Sequence, residues 1–392
     1  MQAALTPLKT VEEQVVLDRR HLHAHPELGF AEHQTAAFVT ERLRALGLDP
    51  QTGVAGTGVA ALIQGARPGK TVLLRADMDA LPIDELNEVP YRSQTPGVMH
   101  ACGHDGHTAI LLNAARVLVE RREHFTGTIK LIFQPCEEVF PGGALKMIEE
   151  GVLESPKVDA VFGLHLMQDL PLGIICARPG PTMAAADAFE IRITGKGGHG
   201  ATPELCIDAA LIAAQVTVAL HALVAREVKP IEPAVITVAS IHAGSAFNVI
   251  PQTAVLTGTV RTFNADLRRY LAQRIEEVAV GVARSMRAEC ACDYRWGNPC
   301  LVNDPAMAAL VADVARDMVG EQRFTVGEPI MGAEDFSSFL ELRPGCFFFV
   351  GTRNEERGLI WGHHHPRFDV DETALPLAIE MIVAVAERYL AS

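Results

Sequence analysis

Four short apolar runs constrain this chain more than any other feature: "TVLLRAD", "TIKLIFQP", "DAVFGLHL" and "CFFFVG", each bounded by Gly, Pro or Asp. Around them, apolar residues recur at helical spacing in "HQTAAFVTERLRALGL", "DGHTAILLNAARVLVERR" and "ETALPLAIEMIVAVAERYL". Strands that alternate with amphipathic helices fold as an α/β domain around a largely buried sheet.

The middle of the chain breaks this rhythm. From about Ala186 the pattern reads strand ("FEIRITGKGG"), helix (Ile207 to Arg226), two strands ("AVITVASIHAG", "TAVLTGTVRTF"), helix (Ala265 to Arg287) and strand ("AECACDYRW"). A βαββαβ unit of this length is a small α+β, ferredoxin-like sandwich, and its position makes it an insertion. The expected division is therefore a discontinuous larger domain, 1–185 and 297–392, and an inserted domain, 186–296. With 392 residues, 48% of them hydrophobic, there is material for two cores.

Charge excludes some partners. The formal net charge is −14 with no Lys/Arg stripe, so neither nucleic acid nor an anionic membrane surface is expected to bind. Eight cysteines follow no disulfide framework, and "MQAALTPLKTVEEQ" lacks the basic start and apolar run of a signal peptide. A reducing cytoplasm and free thiols are expected. The most apolar helix, Ala209 to Ala225, carries Gln215, Thr217 and His221 and is short for a membrane span, so it reads as a buried or interface helix.

The chemistry-bearing residues lie in four segments. In "GVMHACGHDGHTAIL", Cys102 and His104 sit two apart in a Gly-containing loop just before a helix. Such a pair cannot close a tetrahedral metal site alone, and a buried thiol beside a helix-capping histidine suits the residues equally well. In "IFQPCEEVFPGG", Glu137 and Glu138 follow a strand, where open α/β sheets carry ligand-binding loops, and adjacent residues there point in different directions. "VFGLHLMQDL" places His165 at the expected carboxyl end of a buried strand. "WGHHHPRFDVDE" offers His363, His364 and His365 on a pre-proline segment expected to be extended, with at least one facing inward. Thiolate, imidazole and carboxylate together suit Zn²⁺, Mn²⁺, Co²⁺ or Ni²⁺ better than Ca²⁺ or Mg²⁺, and the set is large enough for two ions.

Read in order, "HAHPELGFAEHQTA", "RADMDALPI", "MHACGHDGHTA", "QPCEE", "GGHGATP", "NVIPQTA", "GAEDFSSFL" and "HHPRFDVDE" resemble the aminoacylase/hippurate hydrolase branch of the zinc exopeptidase-like metallopeptidases, which includes the plant auxin-amino-acid hydrolases. The likeness spans nearly the whole chain. It implies a zinc-exopeptidase-like three-layer α/β catalytic domain with an inserted lid or dimerisation domain. It also implies two divalent ions held by Cys102, His104, Glu138, His165 and His364, with Glu137 as general base. His199 in "GKGGHGATP" is implied to reach an active site, often the partner subunit's, and Asn248 and Arg261 to hold the substrate's α-carboxylate. Three departures stand out: Cys136 where Ala is common, a histidine triplet that admits a one-residue slip, and Glu204 where many relatives have His.

The activity these readings imply is hydrolysis of an N-acyl or N-aroyl amino acid to a carboxylic acid and a free amino acid, by a homodimer joined through the inserted domain. A dipeptidase or carboxypeptidase of the same family is the nearest rival. A metal-binding relative without turnover is a more distant one, since the base and all five ligand positions are intact. "ECAC" with Cys300 reads as packed thiols, because Cys290 and Cys292 share a strand face, and the "HLHAH" histidines read as shaping the domain.

Overall fold

The computed structural model describes residues 10–392, so most of the N-terminal stretch examined for a leader lies outside the described residues. Two compact units are present: Met1–Gly180 with Val302–Glu328 and Asp335–Ser392, and Pro181–Leu301 with Pro329–Glu334.

The first unit is built on a mixed eight-stranded sheet, ordered Gln51–Val54, Gly58–Gln64, Thr128–Gln134, Thr71–Asp77, Ala160–Pro171, Gly345–Arg353, Ile175–Cys176 and Phe324–Thr325. The four apolar runs of the sequence are its four central strands, and they pair parallel to one another. Antiparallel pairs lie outside them. Every residue of Thr71–Asp77 is buried. Val72, Leu74 and Ala76 enter the main core with the helices Val11–Ala24, His104–Glu120, Pro305–Val319 and Ala374–Leu390, where each large apolar side chain contributes about 1.5–3 kcal/mol. The alternate residues Arg75 and Asp77 point the other way and carry buried charge towards the strand's carboxyl end.

One strand is longer than its sequence suggested. Ala160–Pro171 continues past His165 because Gly345–Arg353 runs beside it as far as Pro171. On its other side, pairing with Thr71–Asp77 stops at Gly163, so His165 lies two residues past the last paired residue on that side.

The second unit is a four-stranded antiparallel sheet, ordered Ala234–Ala243, Thr253–Thr262, Ala185–Thr194 and Glu289–Arg295, with helices Ala209–Glu227 and Ala265–Ser285. Asp208 and Asn264 cap the two helices by accepting from the first free backbone N–H groups. Ala209–Glu227 begins two residues later and ends one residue later than the helix read over Ile207 to Arg226, and is long and apolar enough, by length and composition, to cross a membrane. Ile212, Ala213, Val216, Leu220 and Leu223 make it the core helix of this unit, while Leu211 and Val218 are exposed. Ala234–Ala243 is an edge strand. Cys290 and Cys292 are half-buried on one face of Glu289–Arg295, and all eight cysteines are free thiols.

Candidate metal centre

Cys102, His104, Glu138, His165 and His364 converge from four segments of the first unit. Their donor atoms form two overlapping groups that share the thiol, Cys102–His104–His165 and Cys102–Glu138–His364, each with its atoms within 4.8 Å of one another. Cys102 Sγ lies 3.6 Å from His165 Nε2, and Glu138 Oε1 lies 3.3 Å from His364 Nε2 and 4.0 Å from His104 Nε2.

Local backbone explains the convergence. Gly103 has φ +89°, a left-handed turn that a side chain would strain, and it separates Cys102 from the first residue of the helix His104–Glu120. Cys136 also has positive φ, 51°, and its N–H donates to Glu32 Oε1 at 2.8 Å, which fixes the turn that delivers Glu137 and Glu138. His364 has φ 64°, so the triplet is a turn and not the extended segment expected of it. This conformation costs about 1–3 kcal/mol in a residue other than glycine, and is held here by the His364 N–H donating to Ala101 O at 2.7 Å. The turn also separates the three histidines. His363 Nε2 donates to Leu166 O at 2.9 Å, His365 stacks on Trp361 with centroids 4.3 Å apart, and His364 alone of the three joins the ligand groups.

Two of the three candidate ligand histidines are aimed by a hydrogen bond on the opposite side of the ring. His104 Nδ1 donates to Asp79 O (2.9 Å) and Asp79 Oδ1 (3.2 Å), and His165 Nδ1 donates to Leu166 O at 2.7 Å, so both Nε2 lone pairs point into the cluster. Asp79 Oδ2 accepts from the Glu138 N–H at 3.0 Å and so orients a second ligand. Behind them His107 donates from Nδ1 to Asp77 Oδ1 at 2.6 Å and accepts the Leu166 N–H at Nε2, 2.9 Å. Asp77 is held in turn by Arg75 at 2.5 Å, and Arg75 and Gln134 both donate to Asp335. Neither Asp77, Asp79 nor His107 was singled out from the sequence. The available signal was charge at alternate positions, Arg75, Asp77 and Asp79, in a run otherwise buried and apolar.

The residues fit divalent metal. His104 Nε2 and Glu138 Oε1 are buried without a hydrogen-bond partner in the chain, an arrangement that is costly for groups of this polarity unless they have another electrophile to satisfy them. The local field also favours positive charge. Burial opposes protonation of His104, yet Asp77 and Cys102 raise it well above the ordinary histidine range, and the adjacent Cys102 thiol and Glu138 carboxylate push His364 up to about 10. Burial, with His107 and His363 beside it, keeps His165 well below that range and therefore neutral, as a ligand must be. Burial likewise opposes ionisation of Asp77, but Arg75, His104 and His107 hold it well below the usual carboxylate range.

Glu137 groups with His104 and Glu138 and is only partly buried. The other residues assigned from the sequence lie in the second unit. His199 and Asn248 are exposed neighbours: Gly198–His199 pairs with Val249–Ile250, and the Gly200 N–H donates to Asn248 O. His199 Nδ1 accepts the Ala201 N–H at 3.0 Å, which leaves the proton of the neutral ring on Nε2. Arg261 is half-buried on Thr253–Thr262 and, among the described residues, its side chain makes no hydrogen bond or ion pair; burial lowers its pKa against the pull of Asp187.

The chain resembles known proteins over nearly its whole length. The chain is 46% identical over 377 residues to the amidohydrolase YhaA of Bacillus subtilis, covering 96% of this chain and 95% of that protein. It is 41% identical to thermostable carboxypeptidase 2 of Saccharolobus solfataricus, covering 94% of each, and 42% identical to N-acetyl-L-cysteine deacetylase of B. subtilis, covering 98% and 90%. The crystal structure of the B. subtilis YXEP protein, a dinuclear metal binding peptidase from the M20 family, superposes with a TM-score of 0.85 at 34% identity, covering 97% and 99%. The profile of peptidase family M20/M25/M40 matches residues 73–388, and the chain belongs to that family.

Proposed function

We propose that this chain is a metal-dependent amidohydrolase that cleaves the amide bond of N-acyl or N-aroyl amino acids, releasing a carboxylic acid and a free amino acid. The observation that carries the reading is the pair of ligand groups sharing Cys102, with Glu137 beside them. Cys102, His104, Glu138, His165 and His364 would hold two divalent ions, and their mixed soft and borderline donors suit Mn²⁺, Zn²⁺, Co²⁺ or Ni²⁺. Such ions supply Lewis acidity that acidifies water and polarises a carbonyl oxygen.

The chain's own residues do the rest. Glu137 takes a proton from the attacking water and returns it to the leaving nitrogen, so that the amino acid departs as a neutral amine. His199, with its proton on Nε2, is suited to donate to the acyl oxygen as negative charge develops there, and in this reading it acts in the active centre of a partner copy. Asn248 and Arg261 would hold the substrate's α-carboxylate, for which a planar guanidinium fork is well matched. A homodimer through the second unit is supported by the exposed Leu211, Val218, Ile241, Phe247 and Val249 and by the open edge of Ala234–Ala243. Eight free thiols suit a reducing cytoplasm.

The test is a panel of N-acetyl amino acids, N-benzoyl amino acids and dipeptides offered to metal-loaded protein. Release of amino acid from the N-acyl compounds is expected, abolished by chelation and restored by Mn²⁺, Co²⁺ or Zn²⁺. Turnover of dipeptides alone would establish the peptidase reading, and no turnover of any compound would favour the binding relative. Sedimentation should show a dimer at micromolar concentration; an active monomer would contradict the proposed assembly.

A further inference from the structure

A second buried cluster stands behind the metal centre and has no place in the chemistry above. Arg19 and His23, one helical turn apart on Val11–Ala24, are both 0% exposed. Arg19 donates from Nε to Asp105 Oδ2 at 2.7 Å, from Nη2 to Asp369 Oδ1 at 2.6 Å and from Nη1 to Glu372 Oε1 at 3.3 Å. His23 bridges the same Asp105 oxygen, 2.8 Å from Nδ1, and Glu85 Oε1, 3.2 Å from Nε2. Tyr91 closes the group by donating to Asp369 Oδ2 at 2.8 Å.

The acceptors are the informative part. Asp105 directly follows His104, in the first turn of the helix whose loop carries Cys102, and Asp369 lies on the segment that follows His364. We infer that Arg19 and His23 are positioning residues of the metal centre, tying the segment of Cys102 and His104 to the segment of His364. This inference rests on reading those three residues as ligands.

Physical reasons favour a positioning role over a purely stabilising one. Fully buried ion pairs add little net stability over apolar packing of the same shape, because desolvation offsets their attraction. The helix already has apolar anchors in Val15 and Leu22. What a guanidinium adds is a planar fork of fixed span, which sets the separation of the Asp105 and Asp369 carboxylates among the three it holds. A lysine keeps the charge and loses the fork.

The test uses the full chain loaded with Co²⁺, read by its thiolate-to-metal charge-transfer band, its visible absorption and its affinity in competition with a chelator. In the otherwise native chain, Cys102→Ser should abolish the charge-transfer band. If the native chain takes up no cobalt, or Cys102→Ser keeps the band, the ligand reading fails and this inference falls with it. With that reading intact, Arg19→Lys should bind Co²⁺ about 10–100-fold more weakly, the range associated with groups that orient ligands, and show an altered visible spectrum in protein that is still folded. Native affinity and spectrum in folded Arg19→Lys, even with a lower melting temperature, would reduce Arg19 to a structural residue and overturn the inference. Should Arg19→Lys not fold, Asp369→Asn decides the matter: weakened affinity with the charge-transfer band retained supports the tie to His364, and unchanged affinity refutes it.

Discussion

The candidate metal centre and the polar groups proposed for the second unit differ sharply in burial and in bonding. His104 and His165 are 1% and 8% exposed, and each has one ring nitrogen committed to a protein oxygen so that the other faces the cluster. His199 and Asn248 stand in solvent, on and beside a short two-stranded ribbon, and the Arg261 side chain makes no hydrogen bond or ion pair among the described residues. Ligands stripped of water must be fixed in advance, because their lone pairs are expensive to leave unsatisfied and a metal tolerates little error in placement. Groups that meet a substrate only in a closed complex can remain hydrated until it arrives.

The largest effect that could break this contrast is expected within the buried centre itself. Glu137→Gln should lower turnover by about two to four orders of magnitude, the range credited to a placed general base, while bound metal stays near the native amount. Glu138→Gln should instead lower metal content, measured by elemental analysis after dialysis. An exchange of these phenotypes would reverse the two roles.

A smaller but still large effect is expected from the exposed side. His199→Ala should lower kcat by about 10²–10³, as loss of an oxyanion donor does elsewhere, with metal content unchanged. Stability should move by no more than about 0.5 kcal/mol, because an exposed side chain is removed. Chemical denaturation alongside kinetics checks both. A large loss of stability would show that His199 belongs to the folded framework, and the contrast would disappear.

The smallest effect concerns pH and sharpens the comparison from the buried side. Burial and Arg19 oppose protonation of His23, but Asp105 and Glu85 outweigh them and push it up to about 9. A histidine whose folded pKa lies above its unfolded value of about 6.5 adds stability that is fully present below the unfolded value and is lost as pH rises through the folded one. Stability should therefore fall between about pH 6.5 and 9, by at most about 1.4 kcal/mol per pH unit from this group. His23→Gln should flatten that slope in thermal melts of the metal-free chain. The same slope in both proteins would assign it elsewhere.

Much of both units was legible in the chain because local pattern carries it. The four apolar runs became the four central strands in parallel register, and the βαββαβ rhythm became the antiparallel sheet with two helices. Residue chemistry likewise offered thiolate, imidazole and carboxylate suited to metal, although Cys102 and His104 alone read equally well as a packed thiol beside a helix cap. Tertiary structure decided what depends on groups distant in sequence. It placed His165 inside a strand, because a neighbouring strand extends that far, and it brought Asp79 onto both His104 and Glu138. It gave His23 acidic partners that no neighbouring residue supplies, Glu85 and Asp105, 62 and 82 positions away. Among three adjacent histidines of identical chemistry, it singled out His364, through a left-handed turn and a backbone hydrogen bond to Ala101. Periodicity and residue type are properties of a short stretch of chain, whereas the direction a side chain finally takes is set by whichever distant groups pack against it.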